Sequence, residues 1–233
     1  MRFSAALALS VSLAGILGAA SSTTAYASAS NENASEAKVR AFADVRALDH
    51  HVLRLALDAV SCARDAGRID ADGDRLLTVI DYSRASTQPR LWVLDLERER
   101  LLFEELVAHG QGSGDNFPTR FSNREGSHQT SIGLFRTADT YVGANGYSLR
   151  LDGLESGVND RARERAIVMH GAPYVSADSV RALGRLGRSH GCPALRPAIA
   201  RTVIDTIKDG SLVFAYYPDQ RWLKGSRFLN GCS

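Results

Sequence analysis

The sequence predicts a mainly β (α+β) fold, a β-sandwich or half-barrel with an N-terminal helix packed outside it and a few short helices. Between residues 36 and 66, apolar residues recur every three or four positions, which is typical of an amphipathic helix. After Arg75 the period changes to two, with short apolar runs bounded by turn residues, which is typical of strands. Strands and helices do not alternate regularly, and no internal repeat is present. This disfavours a doubly wound α/β fold.

The elements follow in order from these patterns. A helix is predicted from Glu36 to about Ala66. Seven strands are predicted over Leu76–Tyr82, Leu91–Leu96, Leu101–Val107, Ile132–Arg136, Tyr147–Leu151, Ala166–His170 and Ser211–Tyr217, with short helices over Ala177–Arg185 and Ala198–Asp209. The Gly-, Ser- and Asn-rich stretch 109–131 is longer than most loops of compact domains, so we expect it to cover a substrate. Its Arg120 and Asn123 are suited to holding a polar ligand.

The N-terminus predicts export. Arg2 is the sole charge before Glu32, an apolar run of 16 residues follows, and Ala25-Tyr26-Ala27 fits a small-x-small cleavage site. Residues 1–27 therefore read as a secretory signal peptide, and the run is shorter than the ~18 apolar residues of a membrane span. We expect a periplasmic protein without a membrane span after signal removal. The predicted organisation is a signal peptide (1–27), a polar leader and N-terminal helix (28–74), a mainly β domain (75–218) and a C-terminal tail (219–233).

Charge and cysteine content narrow the class of protein further. Without residues 1–27 the chain carries 27 Lys and Arg against 26 Asp and Glu, since Arg2 is the only charge removed. That balance argues against nucleic acid or an anionic membrane as the main partner.

The three cysteines are Cys62, Cys192 and Cys232. If Cys192 must stay reduced to act, Cys62 and Cys232 are the natural disulfide pair in an oxidising compartment.

The stretch 188–195, with sequence RSHGCPAL, carries the chemistry. Cys192 has His190 two positions before it and His170 22 positions before it. Three interpretations compete: a buried structural thiol, a zinc site with these three side chains as ligands, and a nucleophilic cysteine with a histidine base. The last also accounts for Gly191, because N–H groups around a glycine can bind an oxyanion. Spacing alone does not rank the two histidines, and no fourth zinc ligand is evident.

The segment Ile167–Gly171, followed by Ser189–Cys192, resembles the signature of YkuD-type L,D-transpeptidases, HG…[ST]HGC. The chain is also similar to the murein L,D-transpeptidase catalytic domain group over roughly residues 75–218. Further segments that carry this resemblance are Ile80–Ser83, Arg90–Val93, Val107–Gly110, Arg120–Asn123, Ser148–Leu151 and Gly187–Ser189.

The resemblance implies an exported cysteine acyl-transferase that acts on peptidoglycan stem tetrapeptides through a thioester and forms 3→3 cross-links. It implies Cys192 as the nucleophile, His170 as the base, and the Gly171 carbonyl as the group that orients the imidazole. The N–H groups of Gly191 and Cys192, with His190, are expected to hold the oxyanion. Substrate binding is expected from Arg188, Ser189, Arg196, Arg120 and Asn123, although Arg188 and Arg196 are equally suited to structural ion pairs.

Two departures from the family pattern bear on the acceptor. Pro193-Ala194-Leu195-Arg196 follows the HGC motif, where the family usually has an aliphatic residue and then Arg or Asn, and the gap from His170 to Cys192 is longer than typical. The alternatives are therefore an L,D-carboxypeptidase that hydrolyses the same bond, or a non-catalytic wall-binding protein. No metal or organic cofactor is expected. Carbapenems are expected to acylate Cys192.

Overall fold

A computed structural model describes residues 34–69 and 75–231. Residues 34–41 are helical, and helix α1 follows at His50–Asp65. The predicted single helix from Glu36 to Ala66 is therefore wrong. Ala47 has a positive φ of 65°, which turns the chain, and the Asp49 side chain caps α1 by accepting from the N–H groups of His51 and Val52. No helix of the described residues is long and apolar enough to cross a bilayer.

Eight strands form one mixed sheet in the order β3-β2-β1-β8-β4-β5-β6-β7. The strands are β1 (Leu76–Asp81), β2 (Leu91–Asp95), β3 (Arg100–Glu105), β4 (Gly133–Gly143), β5 (Gly146–Gly153), β6 (Val168–Gly171), β7 (Ala194–Leu195) and β8 (Leu212–Tyr216). The helices after α1 are α2 (Ala177–Leu183), α3 (Pro197–Ile207) and α4 (Gln220–Gly225). The pairs β1–β8 and β6–β7 are parallel, and the other pairs are antiparallel.

The sheet curls until its two ends meet. The chain leaving β3 pairs with the β7 region through bridges from Ala108 to Ala194 and from Gly110 to Ser189. The result is a nearly closed barrel, so the predicted mainly β fold is confirmed and the half-barrel is the form observed. Because Ser189 belongs to the loop that carries Cys192, this closure sets the position of the cysteine.

Alternate residues of the strands face two apolar cores, as a period of two requires. In β8, Leu212 and Phe214 join the core covered by α1, while Val213 and Ala215 face the core covered by α3. Trp92 is fully buried in the first core. Both faces of the sheet are covered, which makes the scaffold of the site rigid.

Three elements differ from the prediction. Strand β4 continues to Gly143 because it pairs with β5 in a long hairpin, and its register shifts between Thr137 and Thr140, where polar residues interrupt the apolar pattern. The two-residue strand β7 and the helix α4 were not predicted. Helix α4 begins at the cap residue Asp219, which accepts from two N–H groups.

Glu155 anchors the C-terminal segment to the sheet. Its buried carboxylate accepts from the Leu134 N–H at 2.8 Å, the Trp222 indole at 3.0 Å and the Ser226 hydroxyl at 2.6 Å. The Glu155 N–H is bonded to Asn159, whose amide also donates to two carbonyls. The carboxylate therefore links three segments that are distant in sequence.

We expect Glu155→Gln to lower the free energy of unfolding by about 1–3 kcal/mol, because an amide offers one acceptor atom to three donors and leaves one buried donor unpaired. Thermal denaturation measures the change, with Asp205→Asn as the control. The Asp205 carboxylate is partly exposed and bonds Tyr147 at the surface, so its loss should cost little. Equal stability of wild type and Glu155→Gln would contradict this role.

Candidate active site

The chain holds Cys192 on the loop between α2 and β7, beneath the first residues of β6. The thiol is 8% exposed, and it is the free cysteine among the described residues. Its Sγ lies 3.6 Å from the Ala166 carbonyl, to which the thiol donates, and 3.5 Å from the Val168 N–H, from which it accepts. Ala166 has a positive φ of 53°, and this unusual backbone conformation aims its carbonyl at the thiol.

His170 lies on β6, which pairs with β7, the strand that begins two residues after Cys192. Its partner across the parallel β6–β7 pair is Ala194, and its N–H donates to the Pro193 carbonyl at 3.4 Å. The imidazole Nδ1 lies 3.0 Å from the Gly171 carbonyl oxygen. Because a carbonyl can only accept, Nδ1 carries the proton and Nε2 is the basic nitrogen.

Burial keeps both groups neutral at rest. Burial raises the pKa of the Cys192 thiol, although the Val168 N–H and the Arg165 charge oppose that rise. Burial lowers the pKa of the His170 imidazole, against the bond to Gly171. In the described part of the chain no hydrogen bond joins the two side chains, and such contacts often form only when substrate binds. Both side chains are therefore neutral, the thiol two residues before β7 and the imidazole on the adjacent strand β6.

The turn before the thiol is held by Ser189. Its hydroxyl donates to the Cys192 carbonyl at 2.7 Å and accepts from the Gly191 N–H at 3.0 Å. Gly191 has φ +125°, and a Cβ there would lie 2.9 Å from the Gln129 carbonyl oxygen, so only glycine fits. The Gly191 N–H expected to bind an oxyanion thus has a partner, which it must exchange during reaction. The substrate-binding role of Ser189 stays a prediction.

The loop 109–131 packs its backbone directly on this turn. Gly110 pairs with Ser189, and its N–H donates to the Thr130 hydroxyl at 2.8 Å. The exposed His190 ring stacks on His128, with ring centroids 4.3 Å apart and planes 7° from parallel. This loop therefore borders the turn that precedes the thiol, and its expected role in covering a substrate stays a prediction.

Arg165 ties the loop down beside the thiol. Its guanidinium donates to the Ser122 carbonyl at 2.5 Å and to the Gln129 carbonyl at 2.7 Å, and it also bonds the hydroxyls of Ser127 and Ser131. The same charge opposes the rise in the Cys192 pKa. Arg165 thus both holds the loop and opposes the rise in the pKa of the thiol. Its role was not predictable from the sequence because it belongs to no motif.

Two other groups near the site were also missed. Burial, with a smaller effect of the Cys192 charge, raises the pKa of Tyr174 to about 12, so its phenol stays protonated near the thiol. The fully buried Arg90 donates to the Val107 carbonyl at 2.7 Å and bonds His109 Nδ1 at 2.8 Å. Burial lowers the pKa of His109 to about 3, so this ring stays neutral. Arg90 thereby fixes the start of the loop 109–131.

The predicted substrate-binding side chains are dispersed. Arg196 makes a two-pronged ion pair with Glu105 at 2.6 and 2.9 Å, and Arg188 bonds the Gly114 carbonyl and Asp115. Asn123 donates to Asp160 at 2.6 Å, and Arg120 is exposed. The two arginines thus occupy the structural ion pairs that the sequence left open. Roles in substrate binding stay predictions for all four residues.

Metal and disulfide chemistry were the other open questions. Within residues 34–69 and 75–231, no group of three or more His, Cys, Asp or Glu side chains is placed to hold a metal ion. The zinc interpretation of His170, His190 and Cys192 therefore gains no support.

Cys62 is disulfide-bonded. Its predicted partner, Cys232, lies outside the described residues, as does the predicted signal peptide.

We expect alkylation of Cys192 by iodoacetamide to reach its half-maximal rate at a pH above that of an ordinary thiol near 8.5, because burial raises its pKa and only the thiolate reacts. Arg165→Gln removes the charge that opposes this rise, so the profile should move to higher pH. Arg161→Gln is the matched control, since Arg161 pairs with the exposed Glu164. An Arg165→Gln profile at or below the wild-type midpoint would refute the electrostatic link.

Comparison with known proteins gives a family match. The family model described as L,D-transpeptidase catalytic domain matches residues 44–216, about three quarters of the chain. Among curated proteins, none matches the chain.

Several solved structures with similarity to the chain are L,D-transpeptidases by name. One, LdtMt1 in complex with imipenem, is 21% identical, with coverage of 62% of this chain and 60% of that chain and a TM-score of 0.37. An L,D-transpeptidase from Mycobacterium smegmatis is 16% identical, with coverage of 61% and 59% and a TM-score of 0.38. One from Stackebrandtia nassauensis is 13% identical, with coverage of 80% and 90% and a TM-score of 0.38. The matched region spans about three fifths of the first two structures.

Proposed function

Because the chain belongs to the L,D-transpeptidase catalytic domain family, we propose that it is an exported cysteine acyl-transferase that cross-links peptidoglycan stem peptides through a thioester on Cys192. The observation that carries this proposal is a free, buried thiol two residues before β7, together with a neutral histidine on β6, the strand that pairs with β7. The Gly171 carbonyl fixes the His170 tautomer and so leaves Nε2 as the base. A cysteine buried for structure alone would not need this arrangement.

The reaction divides into two transfers. Cys192 Sγ forms a bond to the carbonyl carbon of the diamino acid at position three of a tetrapeptide stem, and its proton passes to His170 Nε2. The C–N bond to the terminal D-alanine then breaks, and the leaving amine takes that proton. An amine of a second stem next attacks the thioester, forms the 3→3 amide and returns the proton to the sulfur through His170. With water as the acceptor, the same thioester gives a tripeptide and a free carboxylate.

Charge stabilisation during attack falls to backbone donors in the Cys192 turn. The negative oxygen of the tetrahedral intermediate needs N–H donors at about 2.7–3.1 Å. We assign this role to the N–H groups of Cys192 and of Gly191, the latter after release from the Ser189 hydroxyl. Ser189 would keep the turn in place through its bond to the Cys192 carbonyl. Because glycine has no Cβ, the Gly191 backbone can change its hydrogen-bond partner at a small cost in free energy.

We place the enzyme in the periplasm. The first support is the sequence of residues 1–27, with an apolar run and a small-x-small cleavage site. The second is the cysteine content, in which Cys62 and Cys232 are the pair expected in an oxidising compartment and Cys192 is the free thiol.

Product analysis tests the function. Mature protein and Cys192→Ala are incubated with a purified disaccharide-tetrapeptide, and products are read by mass spectrometry. A dimer that has lost one D-alanine, absent with the variant, is the expected result. A tripeptide without dimer would instead establish carboxypeptidase action. Unchanged substrate in both samples, with no carbapenem adduct on the intact wild-type protein, would overturn the enzyme assignment in favour of a wall-binding protein.

A further inference from the structure

Two histidines meet where the loop 109–131 packs on the turn that carries Cys192. The rings of His190 and His128 stack with their centroids 4.3 Å apart and their planes 7° from parallel. His190 is exposed and His128 is only half-buried, so the stack buries little apolar surface. Its flat geometry instead fixes the two side chains relative to each other.

The loop holds His128 firmly on its side of the stack. Gln111 Nε2 lies 2.9 Å from His128 Nδ1, and the Gly112 N–H donates to the His128 carbonyl at 2.9 Å. The backbone at His128 has a φ of 53°, a left-handed conformation that glycine adopts more readily than a residue with a side chain. An imidazole at such a backbone position points to a role for the ring.

The stack is the contact that holds His190. Within residues 34–69 and 75–231, neither the backbone nor the ring of His190 takes part in a hydrogen bond or an ion pair. The preceding residue is well fixed, because the Ser189 N–H donates to the His109 carbonyl at 3.0 Å and the Ser189 carbonyl accepts from the Gln111 N–H at 2.8 Å. The following residue, Gly191, has a φ of +125° and the freedom of glycine. His190 therefore joins a fixed part of the turn to a flexible one.

The position of His190 bears directly on the oxyanion donor. The His190 carbonyl and the Gly191 N–H belong to one planar peptide unit, so they turn together. In the resting state the Gly191 N–H donates to the Ser189 hydroxyl at 3.0 Å, and it must leave that oxygen to bind an oxyanion. After that release, the stack on His128 still holds the His190 end of the peptide unit.

We propose that His128 is a positioning residue, which uses the stack to hold the peptide unit between His190 and Gly191 so that its N–H points at the oxyanion formed on Cys192. This inference rests on the acyl transfer proposed above. It calls for a flat ring at both stacked positions and for a ring nitrogen at neither. The loop 109–131 then contributes to the reaction through His128.

Two reactions of the mature protein separate this role from access to the thiol. In acylation by para-nitrophenyl acetate, Cys192 Sγ bonds to the acetyl carbon through an oxyanion, nitrophenolate leaves, and the thiol proton passes to His170. Absorbance of the nitrophenolate gives the rate, with Cys192→Ala as the blank. Alkylation by iodoacetamide displaces iodide from a saturated carbon and forms no oxyanion, so it reports only access to the thiolate and its reactivity.

The variants form a double-mutant cycle. His128→Ala, His190→Ala and the double variant remove the stack from one side, from the other and from both. His128→Phe and His190→Phe each keep a flat ring without the imidazole nitrogens. His50→Ala, at an exposed position on α1, is the control for loss of a histidine. Thermal denaturation checks that every variant is folded.

The stack should matter for acylation alone. His128→Ala should slow acylation by about 10-fold, because the donor is displaced, whereas complete removal of an oxyanion donor costs about 100-fold or more. His190→Ala should lose a similar factor, and the double variant should lose no more than either, since each change removes the same stack. Both phenylalanine variants and the control should keep acylation near the wild-type rate, and alkylation should be unchanged throughout.

Three results would overturn the positioning role. Losses that multiply in the double variant would show that the two rings act independently. An equal slowing of acylation and alkylation would mean that His128 controls exposure of the thiol. A loss in His190→Phe as large as that in His190→Ala would mean that a ring nitrogen of His190 acts directly.

The proposed function has a separate outcome. If the wild-type protein is acylated and the variants follow the cycle, while tetrapeptide stems stay unchanged, the positioning role holds and the transpeptidase assignment fails. If the cross-linked dimer forms but the losses multiply, the assignment holds and the positioning role fails. Absence of acylation in the wild-type protein would overturn both.

Discussion

His170→Gln is expected to lower kcat/KM for the acyl-transfer reaction at neutral pH by about 100- to 10,000-fold, the usual contribution of a positioned general base. The thiol itself donates to the Ala166 carbonyl, which is too weak a base to remove the proton. The glutamine retains approximate shape and polarity but has no basic nitrogen in place of Nε2. Steady-state kinetics on a tetrapeptide stem measure the loss.

The pH profiles separate a base from a residue that merely supports the fold. Burial lowers the pKa of His170, so the base stays neutral below the ordinary value near 6.5. Wild-type activity should therefore persist at mildly acidic pH and fall only as the pH drops through that lowered pKa. In His170→Gln the reaction depends on the thiolate alone, so its rate should rise with pH through the raised pKa of Cys192.

The control is His51→Gln, at an exposed position on α1. It should leave both the rate and the pH profile unchanged. Recovery of His170→Gln at alkaline pH supports the role of the imidazole as a base. A uniform loss at every pH, with reduced thermal stability, would mean that His170 acts through the fold. A larger loss in His190→Gln than in His170→Gln would reverse the assignment of the two histidines.

The strands were predictable where a strand is buried and short. In the predicted strand 211–217, residues 212–217 form a continuous apolar run, and the observed strand, Leu212–Tyr216, has both faces buried in separate cores. The pattern failed where tertiary contacts decide the backbone. The first helical segment ends at residue 41, and Ala47 in the turn that follows has a positive φ, although alanine favours helices. Strand β7 has only two residues, so no periodicity exists to read.

The site divides in the same way. Cys192 and His170 were predicted as nucleophile and base because their segments resemble the family signature, since spacing alone does not rank His170 above His190. Arg165 was missed because its partners, residues 122–131, are more than thirty positions away in sequence. The sequence left Arg188 and Arg196 open between two roles, and their ion pairs depend on where Asp115 and Glu105 lie in space. Contacts between segments that are distant in sequence form only when the sheet closes, so the local sequence pattern does not reveal them.

Backbone contact between the loop 109–131 and the turn that carries Cys192 explains why residue 110 must be glycine. The loop 109–131 meets the turn that carries Cys192 at Gly110, where a Cβ would overlap the His128 carbonyl oxygen and lie 2.8 Å from Gly191 Cα. Both obstacles are backbone atoms, so no side chain can move aside. The loop and the nucleophile turn must then separate, and the Gly191 and Cys192 N–H groups move with them.

Gly110→Ala is therefore expected to reduce kcat by about 100-fold, the cost of a displacement of about 1 Å at a reacting group. Gly225→Ala is the neutral control, because a Cβ there contacts nothing within 4 Å. Gly153→Ala is the stability control, since its Cβ would overlap the Asn159 backbone, in the segment that Glu155 and Asn159 tie to the sheet. We expect both variants to lower Tm by a similar amount. If Gly153→Ala then keeps the wild-type kcat while Gly110→Ala loses it, the contact of the loop with the turn positions the nucleophile. Parallel losses of Tm and kcat in both variants would reduce Gly110 to a packing residue.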